Sequence, residues 1–136
     1  ERGGKPGDVN AWETIIDVLP CISERLSDTF IFNKSALEVI GAFNGDNVLT
    51  YVDPPYLPDT RVSKKVYKDH EMTIDDHIDL LNILLKFKGK VVISGYYSTL
   101  YKKTLCDWRM EQKQIANSAS QQKVKPTKTE CIWFNY

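Results

Sequence analysis

The apolar residues of this chain follow two rhythms. Val48-Leu49-Thr50-Tyr51-Val52 is a nearly unbroken run of β-type residues, and Val91-Val92-Ile93-Ser94, closed by Gly95, is a second. Such runs predict strands buried on both faces, as in a parallel sheet. Between them Ile74, Ile78, Leu81, Leu84 and Leu85 recur at helical spacing and predict one apolar stripe. Thr73 opens that helix, with Asp76 three residues on as its capping-box partner, and Lys88-Gly89-Lys90 ends it. Upstream, residues 1–10 are Gly-rich and polar and read as a loop. Two short helices are expected around Trp12 to Leu19 and Pro20 to Leu26, with Pro20 as a first-turn residue. Thr29-Phe30-Ile31-Phe32 is a strand candidate, and a helix carrying Leu37, Val39, Ile40 and Phe43 follows, capped by Asn33 or Ser35.

Downstream, residues 97–105 suggest a helix and 109–117 a strand. Residues 118–127 are polar. The chain ends on an alternating strand with Cys131 and Trp133 on one face and Ile132 and Phe134 on the other. Strand, helix, strand, helix with buried-type strands predicts an α/β sheet with crossover helices. The last two strands have no helix between them and are expected to pair antiparallel.

Composition narrows the classes of function. The chain has 136 residues, 42% hydrophobic and 26% charged, which suits one soluble domain. Its 18 basic and 18 acidic residues cancel, so any nucleic-acid contact must come from a local patch. No apolar run approaches the ~20 residues of a membrane span, and the N-terminus has no signal-peptide core. The three cysteines, Cys21, Cys106 and Cys131, are far apart, and there are only two histidines, His70 and His77. That composition argues against a metal site and for a reducing, cytoplasmic setting.

The candidate chemistry lies where the first buried-type strand ends, in Asp53-Pro54-Pro55-Tyr56. Active sites of open α/β sheets lie at the carboxyl ends of strands. The two prolines fix their own φ angles and lack N–H groups, so the loop offers acceptors: the Asp53 carboxylate and the Pro54 carbonyl. An exocyclic amine such as adenine N6 has two hydrogens and a lone pair conjugated into its ring. Two fixed acceptors turn that lone pair outward and stabilise the positive charge that develops as nitrogen attacks a methyl group. Tyr56 supplies a face for a planar base, worth roughly 1–3 kcal/mol in comparable sites. A duplex base reaches such a loop only when flipped out. The plain alternative is a strand end followed by a Pro-rich turn.

In its ordered pieces the chain resembles the Dam-like (D12) family of adenine-N6 DNA methyltransferases, especially bacterial and phage members. The pieces begin with Trp12, Arg25-Leu26, Phe30-Ile31-Phe32-Asn33, Ala36-Leu37 and Val39-Ile40. Tyr51-Val52-Asp53-Pro54-Pro55-Tyr56-Leu57 comes next, then Thr60-Arg61, Tyr67, Met72, Asp76-His77 and Leu80-Leu81. Ser94-Gly95-Tyr96, Ser98, Tyr101, Trp108, Thr129-Glu130, Trp133 and Asn135 complete the set. The tetrapeptide by itself also occurs in RNA guanine-N2 methyltransferases; the ordered set is more specific.

The resemblance implies a Rossmann-like fold for S-adenosylmethionine (AdoMet)-dependent methyltransferases, here partial, with a mostly parallel sheet ending in an antiparallel hairpin. It implies direct methyl transfer from AdoMet to adenine N6 in double-stranded DNA, with no metal and no membrane. Asp53, Pro54, Pro55 and Tyr56 are the implied catalytic loop, with Tyr56 stacked on the flipped adenine. Ser35, Ala36 and Asp53 are implied beside the cofactor, although family members commonly carry Asp-Phe where this chain has Ser35-Ala36. Arg61, Lys64, Lys65 and Lys68 follow the loop and are either a solvated basic segment or phosphate contacts, Arg61 foremost. Lys123, Lys125 and Lys128 lie in or beside the loop between the last two strands, which borders the flipped-base pocket in the family, and are likewise either solvated or phosphate contacts. Tyr96 either lines the target pocket or packs, and Gly95 is expected to permit a close backbone approach. His77 reads as a partly buried structural histidine, Cys106 and Cys131 as small buried apolar residues, and Glu130, Trp133 and Asn135 as core and hairpin contacts.

Family members carry a Phe-x-Gly-x-Gly-type cofactor loop and a ribose-binding acid upstream, with most of a target-recognition domain. Gly3-Gly4 is not that loop, because no strand precedes it. Residues 1–11 are therefore expected to be the tail of the recognition region or a linker, and 12–136 the C-terminal part of the catalytic domain, inactive alone. Two rival expectations are a methyltransferase acting on RNA or a protein amide, and a catalytically dead remnant.

Overall fold

In the computed structural model, residues 7–60, 71–116 and 127–136 are described. The basic residues Arg61, Lys64, Lys65, Lys68, Lys123 and Lys125 lie outside them. The chain forms two compact units, Glu1–Asn33 and Lys34–Tyr136.

The first unit is helix α1, Gly7–Leu26, with Pro20 inside it. The sequence pattern predicts a loop to residue 10 and then two helices, but the structure has one. Proline removes a single bond to the carbonyl four residues back, and the turns on either side keep theirs. The expected strand at Thr29–Phe32 is also absent. The Thr29 amide instead donates to the Leu26 carbonyl at 3.0 Å, closing off the helix. No described strand forms a ladder with this segment, and an apolar run without a neighbour to pair with is not a strand.

The second unit begins with α2, Ala36–Ala42, whose N-cap is Ser35. Then come β1 (Leu49–Val52), a 3₁₀ turn at Pro58–Thr60, α3 (Ile74–Leu85), β2 (Lys90–Tyr96), α4 (Thr99–Thr104), β3 (Arg109–Ala116) and β4 (Thr127–Phe134). The α3 capping box forms as expected, with the Asp76 amide donating to Thr73 Oγ1 and the Thr73 amide to Asp76 Oδ2.

The four described strands are ordered β1-β2-β4-β3. β1 and β2 are parallel, whereas β2–β4 and β4–β3 are antiparallel. This corrects the expectation of a mostly parallel sheet: the sheet is mixed and mostly antiparallel. The hairpin inserts its second strand beside β2, so the helical crossover at α3 generates the one parallel ladder.

The core lies on one face of this sheet. Val52, Val91, Ile93, Cys131 and Trp133 pack with Leu80, Leu81 and Leu84 of α3, Tyr101 of α4 and Leu105 just after it, and Ile40 of α2. Two readings shift. β1 is not buried on both faces, since Leu49 is 62% and Tyr51 63% exposed. Likewise the inward stripe of α3 is His77, Leu80, Leu81 and Leu84, rotated from the predicted one, while Ile74, Ile78 and Leu85 are exposed. Cys131 is buried but Cys106 is exposed, because Leu105 takes the inward position after α4.

Close backbone approach occurs at Gly89 rather than Gly95. A Cβ at Gly89 would overlap the Val48 and Gly45 carbonyl oxygens, whereas one at Gly95 would sit 3.7 Å from the Trp133 ring, an ordinary contact. Asn135 ties the start of β2 to the end of β4, accepting from the Val91 amide at 2.8 Å and donating to the Gly89 carbonyl at 3.0 Å. No described helix is long and apolar enough to cross a membrane.

Candidate active site at the strand ends

β1 ends at Val52, so the tetrapeptide begins one residue beyond its carboxyl end. Pro54 is buried and Pro55 and Tyr56 half-buried, while Asp53 is exposed. The loop then tightens into the 3₁₀ turn, where the Thr60 hydroxyl donates to the Leu57 carbonyl at 2.7 Å. Two prolines on one side and a hydrogen-bonded turn on the other leave the segment little backbone freedom.

The parallel register puts Val52 opposite Ile93, which brings Ser94 level with Asp53. Ser94 is 3% exposed, and its hydroxyl donates to Asp53 Oδ1 at 2.9 Å. The Val52 carbonyl is the more distant acceptor at 3.3 Å, and the Tyr51 hydroxyl lies 3.4 Å from Ser94 Oγ as a donor. With one carboxylate oxygen held by Ser94, the other stays available to a ligand.

The tetrapeptide separates two environments. On one side is a cavity of about 660 Å³ whose walls include Ser35, Ala36, Leu37, Ile40, Asp53, Pro54, Pro55, Met72 and Asp76. That size is typical of small-molecule sites. It brings together Ser35, Ala36 and Asp53, which the sequence analysis groups as cofactor residues. Its apolar walls, Ala36, Leu37, Ile40 and Met72, suit a planar heteroaromatic ring, and Asp53 and Asp76 supply acceptors. Met72, Leu37 and Asp76 were not among the expected cofactor residues; a loop and a helix start carry no such signal.

On the other side is Tyr56. Its ring meets Tyr96 edge-on, with centroids 4.7 Å apart and planes at 73°. Its hydroxyl donates to Glu130 Oε1 at 3.1 Å. Burial, reinforced by the negative charges of Asp53 and Glu130, pushes the Tyr56 phenol well above its ordinary pKa, so it stays a proton donor. Tyr96 thus lies beside the loop, packed against Tyr56. Glu130, read from sequence as a hairpin contact, is there too. It faces Tyr96 across the β2–β4 ladder, a long-range pairing that no local pattern reveals. Ser94 was legible in principle, because it lies near the end of the second β-type run, the strand parallel to the one that leads into Asp53.

His77 does not join this site. It is fully buried, and its Nδ1 lies 2.9 Å from the Tyr101 hydroxyl between α3 and α4. Trp133 is core, and Asn135 a strand tie. No cluster of residues that could ligate a metal occurs among the described residues.

Residues 13–125 match the sequence model of the D12 class N6 adenine-specific DNA methyltransferases. No curated protein matches the chain.

Proposed function

This chain belongs to the D12 class N6 adenine-specific DNA methyltransferase family, and on that premise we propose that Asp53-Pro54-Pro55-Tyr56 is its methyl-acceptor loop, working on an adenine flipped out of double-stranded DNA. The observation that carries this reading is the placement of Asp53 at a strand end, fixed by buried Ser94, with a cavity on one side and Tyr56 on the other.

AdoMet, the methyl donor of such enzymes, supplies an electrophilic methyl group on a sulfonium. Ser35, Ala36 and Met72 would hold its ring portion, with Asp53 at the boundary between donor and acceptor. Asp53 and the Pro54 carbonyl accept the two N6 hydrogens, which turns the nitrogen lone pair out of conjugation. Tyr56 presents its face to the base. The Asp53 carboxylate stabilises the charge that develops on N6 and can take up the proton released after transfer. Arg61, Lys64, Lys123 and Lys125 would contact flanking phosphates. The free thiols of Cys21, Cys106 and Cys131 fit a reducing, cytoplasmic setting.

Incubation of the full-length enzyme with labelled AdoMet and, in parallel, unmethylated duplex DNA, RNA and protein tests the reading. Label recovered as N6-methyladenine from DNA is the expected result. Label in RNA or protein and none in DNA sinks it.

A further inference from the structure

Resting on that reading of the loop, we propose that Glu130 is a positioning residue: together with Tyr96 it locks the ring of Tyr56 into the orientation that receives the target base. The two prolines fix the backbone leading to Tyr56, but its ring retains two soft torsions of its own. In the structure both are restrained from outside the loop. Glu130 holds the hydroxyl at the ring's tip, and Tyr96 packs against the ring in a T-shaped contact. These two residues oppose each other on neighbouring strands, so the brace belongs to the rigid sheet and not to the loop.

Two consequences follow for the bound base. A ring already immobilised has less rotational freedom to lose when the base stacks on it. A phenol donating to a carboxylate also has a more electron-rich face, and that face attracts the positive charge N6 gains during transfer. Glu130 therefore acts through Tyr56 without touching the substrate.

The test compares Glu130→Gln, Glu130→Ala, Tyr56→Phe and the Tyr56→Phe/Glu130→Ala pair in the full-length enzyme. The readouts are kcat, KM for AdoMet, and the fluorescence of duplex DNA carrying 2-aminopurine at the target adenine. Glu130→Ala and Tyr56→Phe should each lower kcat about tenfold, with KM for AdoMet unchanged. The pair should lose no more than either alone, since both remove one interaction. Glu130→Gln, whose amide oxygen still accepts, should restore both kcat and the fluorescence rise on binding. Additive losses, a Gln variant as damaged as the Ala variant, or wild-type kcat in Glu130→Ala would overturn the proposal. If the wild-type enzyme methylates DNA and the losses are additive, only this inference fails. If it transfers no methyl group to adenine, the underlying reading fails and takes the inference with it.

Discussion

Among the described residues, two hydrogen bonds have a tyrosine hydroxyl at one end and an ionisable side chain at the other. His77–Tyr101 spans 2.9 Å between residues 0% and 3% exposed. Tyr56–Glu130 spans 3.1 Å between half-buried residues beside the loop at the end of β1. Both tyrosines are kept protonated, chiefly by burial. The chemistry is similar, yet the consequences differ. The His77 pair is enclosed between α3 and α4, with the Trp133 ring tilted against Tyr101 at a centroid distance of 5.2 Å, and its burial makes it a core contact. The Tyr56 pair sits beside the loop at the end of β1 and is only half-buried. Accessibility, more than the identity of the hydrogen bond, separates the enclosed pair from the one proposed to position a base.

The contrast breaks most visibly if the site and the core respond alike. Asp53→Ala should lower kcat by about 10²–10³-fold, the usual cost of removing a group aimed at developing charge. Its melting temperature should stay near that of wild type, because Asp53 is exposed. Activity above a few per cent of wild type in a methyl-incorporation assay would remove Asp53 from its role. His77→Ala should do the reverse. It opens a cavity in the core and strands the Tyr101 hydroxyl, and should cost roughly 2–4 kcal/mol in urea denaturation. The kcat of the folded fraction should be unchanged. A specific loss of kcat would place His77 in the mechanism after all.

A smaller effect sharpens the comparison with a third polar pair, which is exposed. The Thr73 hydroxyl and amide donate to Asp76 and hold its carboxyl below the usual range. A folded pKa depressed in this way stabilises above the unfolded value, and the benefit fades as pH falls through the folded one. Thr73→Ala should therefore lower stability at neutral pH. It should also flatten the acid limb of the stability curve between the two pKa values. An unchanged acid limb in urea melts across that window would show that the cap does not act through Asp76.

Much of the site was legible from residue order. The tetrapeptide, the strand before it, the α3 capping box and the alternation of Cys131 and Trp133 are local patterns, and each appears where the spacing predicts. Other features misled for equally physical reasons. The apolar run at Thr29–Phe32 has strand composition but no ladder among the described residues. Pro20 looked like a boundary, yet a long helix tolerates one missing bond. On α3 the stripe was read one step out of phase, because His77 was not counted as an inward residue.

The sequence by itself determined the chemistry on offer. A rigid acceptor loop at a strand end follows from the side chains and torsions of Asp53, Pro54, Pro55 and Tyr56, whatever surrounds them. Tertiary structure alone decided which distant groups complete that loop. Ser94 reaches Asp53 because β1 and β2 are parallel and in register. Glu130 reaches Tyr56 because β4 inserts beside β2 in the opposite direction. Strand order and register depend on how whole faces are buried together, and so only the folded sheet could bring a residue 74 positions away onto the hydroxyl of Tyr56.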